Sequence, residues 1–352
     1  MSKAVKISGK LGLGTMSLTY KPNPPQTKQS IEVLNYAVND PDVNVRFING
    51  ADFYGPKDDR SANLRLLKDF VDRNKPDLNQ QLVLSLKGGL DFKSYAPLGS
   101  KEGIAKSIER IASVFPQKEG RPKILFELTR VDRKVPYEES IAYIQDHVDE
   151  GTIDGISLSE VGINSIQKAT QVAPVSCVEL ELSLIAQDVI HNGILAELSQ
   201  KQIPLIAYSP MGRGLLSDFA VEKPDRFLDS IKNNKSDVRN NLDKFKPDNF
   251  KHNLVALRQL YNYAHEVKGT SLQGLALSWL LKLSQHESFK GIGDVTKIVP
   301  IPSASTKQKL ESNFSSIVEL TDEDLDIVDQ ILSEHPIKGL RYNKMLEKTL
   351  FA

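Results

Sequence analysis

A phenol and an ammonium close two apolar runs of this chain. Tyr54 stands next to last in FINGADFYG at 47–55, which continues an apolar run begun at Val43 and breaks into a turn between Gly50 and Gly55. Lys87 ends QLVLSLK at 81–87. A polar side chain at the carboxyl end of a buried strand is where a parallel α/β protein keeps its chemistry. For a phenol that chemistry is proton transfer, although a free tyrosine, with a pKa of about 10, is a poor donor at neutral pH. Taken alone, base rates favour a core or rim tyrosine. Other chemistries find less support. None of the six histidines falls at the carboxyl end of an expected strand, and no His or Cys pair has metal-ligand spacing, so no metal is expected. Cys177, the single cysteine, lies in an apolar run with no histidine near it, and reads as a core residue rather than a nucleophile.

The elements that must position Tyr54 and Lys87 follow a regular rhythm. LGLGTMS at 11–17 reads as a first buried strand, preceded by a short hairpin from AVKIS at 4–8. Strands are expected at 43–48, 81–87, 123–129, 153–159, 175–181, 203–209 and 297–303. Helices are expected from Thr27 and at 61–72, 101–115, 137–151, 163–170 and 193–201. Residues 211–250 break the rhythm with Gly, Asn, Asp and Lys and read as a functional loop. Helices follow at 253–267 and 271–283, and a last one opens on a start resembling a capping box at Thr321 and Asp324. Eight strands alternating with helices imply a parallel sheet with right-handed crossovers. The fold class expected is α/β, a closed (β/α)8 barrel, with a hairpin plugging its bottom and extra helices or loops after strand seven. The 352 residues then form one domain, with a tail at 334–352. An open doubly wound sheet would want a GxGxxG after the first strand, and LGLGTMS does not supply it.

Basic and acidic residues balance at 45 each, and no basic block is visible, so neither nucleic acid nor an anionic membrane is an expected partner. No apolar run approaches the roughly 20 residues of a membrane span, and the N-terminus lacks the apolar core of a signal peptide. A lone cysteine excludes an intrachain disulfide framework and suits a reducing compartment. A soluble protein of the cytosol, with the nucleus as a second location, is expected; oligomeric state is not legible.

Several short motifs occur in order. GLGTM lies on the first strand, ADFYG after the second, YSPMGRGLL after the seventh, and PIPSAS with LESNF at the eighth. This ordered set, spanning residues 8–333, resembles the aldo-keto reductases. TRVDRKVPYEES at 129–140 and FINGADFYG look most like their fungal pyridoxal reductases. The resemblance implies reduction of an aldehyde or ketone with a nicotinamide cofactor bound across the barrel mouth. It places Tyr54 as the acid and Lys87 as the lysine that activates it. The family's aspartate, five residues before the tyrosine, is Asn49 here, and its histidine at the end of the fourth strand is Thr129, ahead of Arg130 and Asp132. Asp52 lies two residues before the tyrosine and is not that carboxylate.

These departures set expectations for the mechanism. An ammonium beside a phenol favours the phenolate, so Lys87 should lower the pKa of Tyr54. Asn49 adds no negative charge, so Lys87 should be less compensated and pull harder. Thr129 can donate one hydrogen bond to a carbonyl oxygen but cannot relay a proton as an imidazole can.

The same resemblance implies the cofactor seat. Gly14 and Thr15 lie on its first-strand side, with Gly12 and Gly14 allowing close approach. Ser159 and Glu160 match the contacts to the nicotinamide amide; Glu179 stands where a glutamine is common, and Leu182 replaces a stacking tyrosine. Tyr208, Ser209, Met211, Gly212 and Gly214 form a pyrophosphate loop. Ser303, Ser305, Thr306 and Lys309, with Lys307 as substitute, suit a 2′-phosphate and hence NADPH, and Asn313 suits the adenine. The expected activity is NADPH-dependent reduction of a small aldehyde, pyridoxal to pyridoxine first among them. The alternative is a cofactor-binding partner protein of slow turnover, like the potassium-channel β subunits.

Overall fold

In the computed structural model, which describes residues 3–20, 23–116 and 118–352, eight parallel strands pair in sequence order. They are Gly12–Gly14 (β1), Phe47–Ala51 (β2), Val83–Gly88 (β3), Lys123–Leu128 (β4), Gly155–Ser159 (β5), Val175–Glu181 (β6), Leu205–Tyr208 (β7) and Ile298–Pro300 (β8). The Gly14 amide donates to the Pro302 carbonyl at 3.1 Å, which ties the first strand to the last and all but closes the barrel. Each strand is followed by an outer helix: Thr27–Asn39 (α1), Ala62–Arg73 (α2), Lys101–Val114 (α3), Tyr137–Asp149 (α4), Ile163–Val172 (α5), Ile194–Gln200 (α6), Leu272–Leu283 (α7) and Lys307–Ser315 (α8). This is the expected (β/α)8 architecture. The capping box expected at Thr321 opens the helix Asp322–Glu334, with each side chain bonded to the other's backbone amide.

Side chains alternate along each strand, so every second residue points into the barrel. The outward set, such as Ile48, Leu84 and Phe126, joins the large core beneath the helices. The inward set at the bottom is apolar: Phe47, Val83, Leu125, Cys177, Ile206 and Val299 pack together, and Ile7 seals them from below. Each such buried apolar side chain contributes about 1.5–3 kcal/mol. Cys177 is one of them, its thiol on the Ser157 hydroxyl, in agreement with a core role.

Three expectations are corrected. No hairpin precedes β1 among the described residues; a single irregular segment covers the barrel bottom, with the Val5 amide on Ser176 Oγ and the Lys297 ammonium on the Ile7 carbonyl. A single pass suffices there because Ile7, with Val5 beside it, packs against the apolar floor. The second strand runs from Phe47 to Ala51 rather than over 43–48, since Asn44 takes a positive φ of 45° that ends any extended run before it. Residues 211–250 are less loop than expected. Helices Asp218–Glu222 and Pro224–Lys232 fold there around Phe227, which stacks on Phe245 and Phe250.

The tail beyond Glu334 returns over the barrel mouth. Its last carbonyl, Ala352, accepts from the Gly162 amide at 3.0 Å, and the Lys348 carbonyl accepts from Arg133 at 2.9 Å. No helix is long and apolar enough to cross a membrane, and no group of three or more His, Cys, Asp or Glu could hold a metal, among the described residues.

Candidate active site

The inward alternation turns polar one layer above the apolar floor. Asn49 on β2, Ser85 and Lys87 on β3, Glu127 on β4 and Glu179 on β6 occupy the phase that carries Phe47, Val83, Leu125 and Cys177 lower down. They form one buried cluster. The Lys87 ammonium lies 2.5 Å from Glu179 Oε1 and 2.9 Å from Glu127 Oε1, and donates to Asn49 Oδ1 at 3.1 Å. The Asn49 amide nitrogen donates to Glu179 Oε2 at 2.6 Å and to Glu127 Oε2 at 3.0 Å. Ser85 Oγ donates to Glu127 Oε2 at 2.8 Å.

This overturns the expectation of a weakly compensated lysine. Asn49 adds no charge, but two carboxylates flank the ammonium. Burial alone would lower the Lys87 pKa; Glu127 and Glu179 outweigh it and hold the group firmly protonated. Burial also raises Glu179, with Glu127 adding to the effect and Lys87 only partly offsetting it, so its carboxyl is pushed up to about 8. Glu179 was expected to accept from a nicotinamide amide; both of its oxygens already accept from Asn49 and Lys87. Glu127 was not anticipated. The available signal was its phase: it is the only acidic residue in KILFELT and sits two positions beyond inward Leu125.

Tyr54 follows the end of β2, half-buried on Ala51, Leu90 and Phe92, with Phe53 edge-on at 5.1 Å and Tyr20 stacked at 6.1 Å. Arg60 braces the turn by donating to the Gly55 carbonyl, and a side chain at Gly55 would run into the Asp59 carbonyl. The Tyr54 hydroxyl carries no hydrogen bond among the described residues, and it lies in the fields of Lys87, Glu179, Glu127 and Arg130. Its pKa was expected to fall and instead rises to about 12. Burial is the largest cause; Lys87 pulls downward, and the two glutamates cancel much of that pull. Tyr54 is therefore a well-held phenol.

Thr129 does not offer its hydroxyl to a ligand, because Oγ1 donates to the Gly88 carbonyl at 2.7 Å and ties β3 to the end of β4. The next residue, Arg130, is the charged group at that corner, anchored on the Thr129 carbonyl and facing Tyr54, Tyr208, Tyr342 and Glu160. Asp52 points out of the barrel to Arg110 and Ser107 on α3.

The expected cofactor residues divide into two groups. Thr15 is fully buried, with hydroxyl and amide both on the Asn49 carbonyl, and Gly14 belongs to the barrel seam. These two build the scaffold. Ser159, the last residue of β5, presents a buried Oγ, and Glu160, the next residue, a buried Oε2, each without a hydrogen-bond partner among the described residues. Ser209, Gly212, Arg213 and Gly214 take left-handed backbone, with the Gly212 amide on the Ser209 carbonyl at 2.8 Å and the Gly214 amide on the Met211 carbonyl at 3.0 Å. Thr306 caps α8 by accepting from the Lys309 amide, the Ser303 hydroxyl is paired with that of Ser17, and the Lys307 ammonium lies over the Tyr36 ring at 5.2 Å. Orphaned polar atoms beside β5, a left-handed loop after β7 and a helix start after β8 fit a dinucleotide laid across the mouth.

The tail meets this seat. Arg341, almost fully buried, donates to Glu160 Oε1 at 2.7 Å, to Glu181 Oε2 at 3.2 Å and to the Tyr208 hydroxyl at 3.1 Å. Tyr342 lies 3.0 Å from that same hydroxyl and under the Arg213 guanidinium at 4.6 Å. LRYNK carries no periodicity that would reveal this contact from sequence.

The family model of the aldo/keto reductase family matches residues 10–333. Among curated proteins, a probable pyridoxal reductase 2 of Schizosaccharomyces pombe is 37% identical, covering 97% of both chains. A putative pyridoxal reductase of Saccharomyces cerevisiae is 31% identical over 94% of this chain and 95% of its own. Among solved structures, a glycerol dehydrogenase of Gluconobacter oxydans superposes with a TM-score of 0.74 at 21% identity, covering 94% of each chain, a likeness of fold. A barrel with this strand order, a phenol beyond β2 and an ammonium on β3, matched over most of its length, is an oxidoreductase, and the chain belongs to the aldo/keto reductase family.

Proposed function

We propose that the chain, acting as one barrel domain, reduces a small aldehyde to the alcohol with NADPH, pyridoxal to pyridoxine being the first substrate to try. The single observation that carries this reading is the free Tyr54 hydroxyl, kept as a phenol at the mouth within the field of the Lys87 ammonium. NADPH, when bound, supplies the hydride. Tyr54 donates its proton to the carbonyl oxygen and is reprotonated from solvent. Lys87 stabilises the negative charge that develops on the phenol oxygen as the proton leaves. Ser159 and Glu160 would hold the nicotinamide amide, the 209–214 loop the pyrophosphate, and Ser303, Ser305, Thr306 and Lys309 the 2′-phosphate. Arg130 and the Tyr54 ring present a cation and an aromatic face to a ring-bearing aldehyde.

The substrate rests on the names of the relatives, which are 37% and 31% identical. The test is loss of NADPH absorbance with pyridoxal and a panel of aldehydes, run beside NADH. Rapid turnover with pyridoxal that disappears in Tyr54→Phe supports the reading. Tight NADPH binding with no turnover on any aldehyde would replace it with a binding role.

A further inference from the structure

We propose that Glu127 and Glu179 jointly replace the missing carboxylate of β2 as the positioning residues for Lys87, and that asparagine at position 49 is the partner those two glutamates require. The inference rests on Tyr54 being the acid of a carbonyl reduction. It adds how the chain holds that acid's neighbour.

A lysine ammonium has three donors and no acceptor. Here two of them go to Asn49 Oδ1 and Glu179 Oε1, and Glu127 Oε1 lies 2.9 Å away as an ion-pair partner. The asparagine amide has donors as well as an acceptor, and its nitrogen bridges Glu127 Oε2 and Glu179 Oε2. An aspartate at the same place would lose both donations and bring a third carboxylate into a buried space holding one ammonium. Like charges in such a space repel strongly. In this barrel asparagine is therefore matched to its surroundings, and the acidic function has moved from β2 to β4 and β6.

Charge balance gives the second part. Two carboxylates and one ammonium carry a net charge of minus one if all are ionised, and the cluster is buried. A proton retained on the pair makes it neutral. The titratable groups that face Glu179 are Lys87 on β3, Glu127 on β4, Cys177 on its own strand and Tyr54 in the loop beyond β2. Of these Glu179, its carboxyl pushed up to about 8 by burial and by the facing Glu127, is the one set to exchange a proton near neutral pH. When that proton leaves, the added negative charge opposes the charge developing on Tyr54. Reductase kcat should then fall at alkaline pH in a single step that follows Glu179.

The experiment is a substitution cycle read in two ways. In kcat at pH 7, Asn49→Asp in the parent should lose ~10-fold, and Glu127→Gln with Glu179→Gln should lose ~100-fold with cofactor affinity changed less than ~3-fold. Adding Asn49→Asp to that doubly substituted chain should regain ~10-fold, so the same change reverses sign with its background. The second reading uses cofactor-free protein. Infrared difference spectra across about pH 8 should show loss of a protonated carboxyl band in the parent and no such loss in Glu179→Gln. A double substitution that keeps kcat within ~3-fold, or an Asn49→Asp effect of one sign in both backgrounds, overturns the proposal. If the double variant does not fold, Glu179→Gln alone decides through the band and the alkaline step in kcat; either one persisting overturns the proposal. Tyr54→Phe separates the two levels. Full activity in that variant would sink the acid assignment, whereas the infrared band tests the glutamate pair independently of it.

Discussion

Glu179 and Glu181 lie two residues apart on one strand, both buried, and are driven in opposite directions. Glu179 shares a single ammonium with Glu127, and burial holds its pKa far above the carboxylate range. Glu181 suffers the same burial, but Arg213, Arg341 and Lys244 outweigh it and keep it below that range. One layer of the barrel is short of cations and the next, at the rim, is rich in them. Strand, burial and residue type are shared, so the partners alone decide the ionisation. The inner layer thereby keeps a phenol protonated beside an ammonium. The outer layer gathers guanidinium groups where an anionic ligand would lie, and neutralises some of them with the tail.

The comparison can be broken from either side. The largest effect is expected from Tyr54→Phe, which removes the proton donor of the inner layer. Reductase kcat should drop ~100- to 10,000-fold with the far-ultraviolet circular dichroism unchanged. Arg341→Ala strikes the outer layer. It leaves Glu160 and Glu181 buried with less cation than they need, and should cost about 3–5 kcal/mol in denaturant unfolding. A loss below about 1 kcal/mol would mean that the tail contact is slack.

Stability against pH distinguishes the layers more finely. The folded pKa of Glu179 is raised, to about 8 from a reference of 4.5. Between those two values the folded chain holds a proton that the unfolded chain has released. Its contribution to stability is therefore greatest at low pH and shrinks by at most ~1.4 kcal/mol per pH unit until about pH 8, beyond which it is flat. Glu181, being lowered, contributes stability above its unfolded value and loses it as pH falls through the folded one. Glu179→Gln should flatten the melting-temperature profile on the neutral side, and Glu181→Gln only on the acid side. Identical profiles for the two variants would erase the distinction. The smallest effect is at the far end of the mouth: Lys309→Ala should weaken NADPH binding ~5-fold in a fluorescence titration and leave NADH unchanged, since Lys309 is exposed and Lys307 is engaged with Tyr36.

The barrel was legible because its apolar strands recur with helices of the right length, and because Tyr54 and Lys87 stand where such strands end. What was hidden is the inward face. A lone Glu127 in an apolar run, or Asn49 before a glycine, reads locally as a strand end, whereas the barrel interior collects them from β2, β4 and β6 into one cluster. The Tyr54 shift runs opposite to the expected direction chiefly because the loop beyond β2 buries the phenol, and secondly because two carboxylates oppose the one ammonium. The Thr129 hydroxyl was not legible either, because the Gly88 carbonyl that takes its proton lies on the neighbouring strand, 41 residues away in sequence. The tail was not legible at all, because Arg341 meets Glu160 across 181 residues of sequence.

The account depends most on Tyr54 being a stable phenol, and tyrosine labelled with carbon-13 at the hydroxyl-bearing carbon reports this directly. With the Tyr54 resonance assigned through Tyr54→Phe, an NMR titration of the cofactor-free protein should show no ionisation from about pH 6 to about pH 10. A resonance that moves to the phenolate position below about pH 9 would contradict the account, because Lys87 would then outweigh both burial and the glutamate pair.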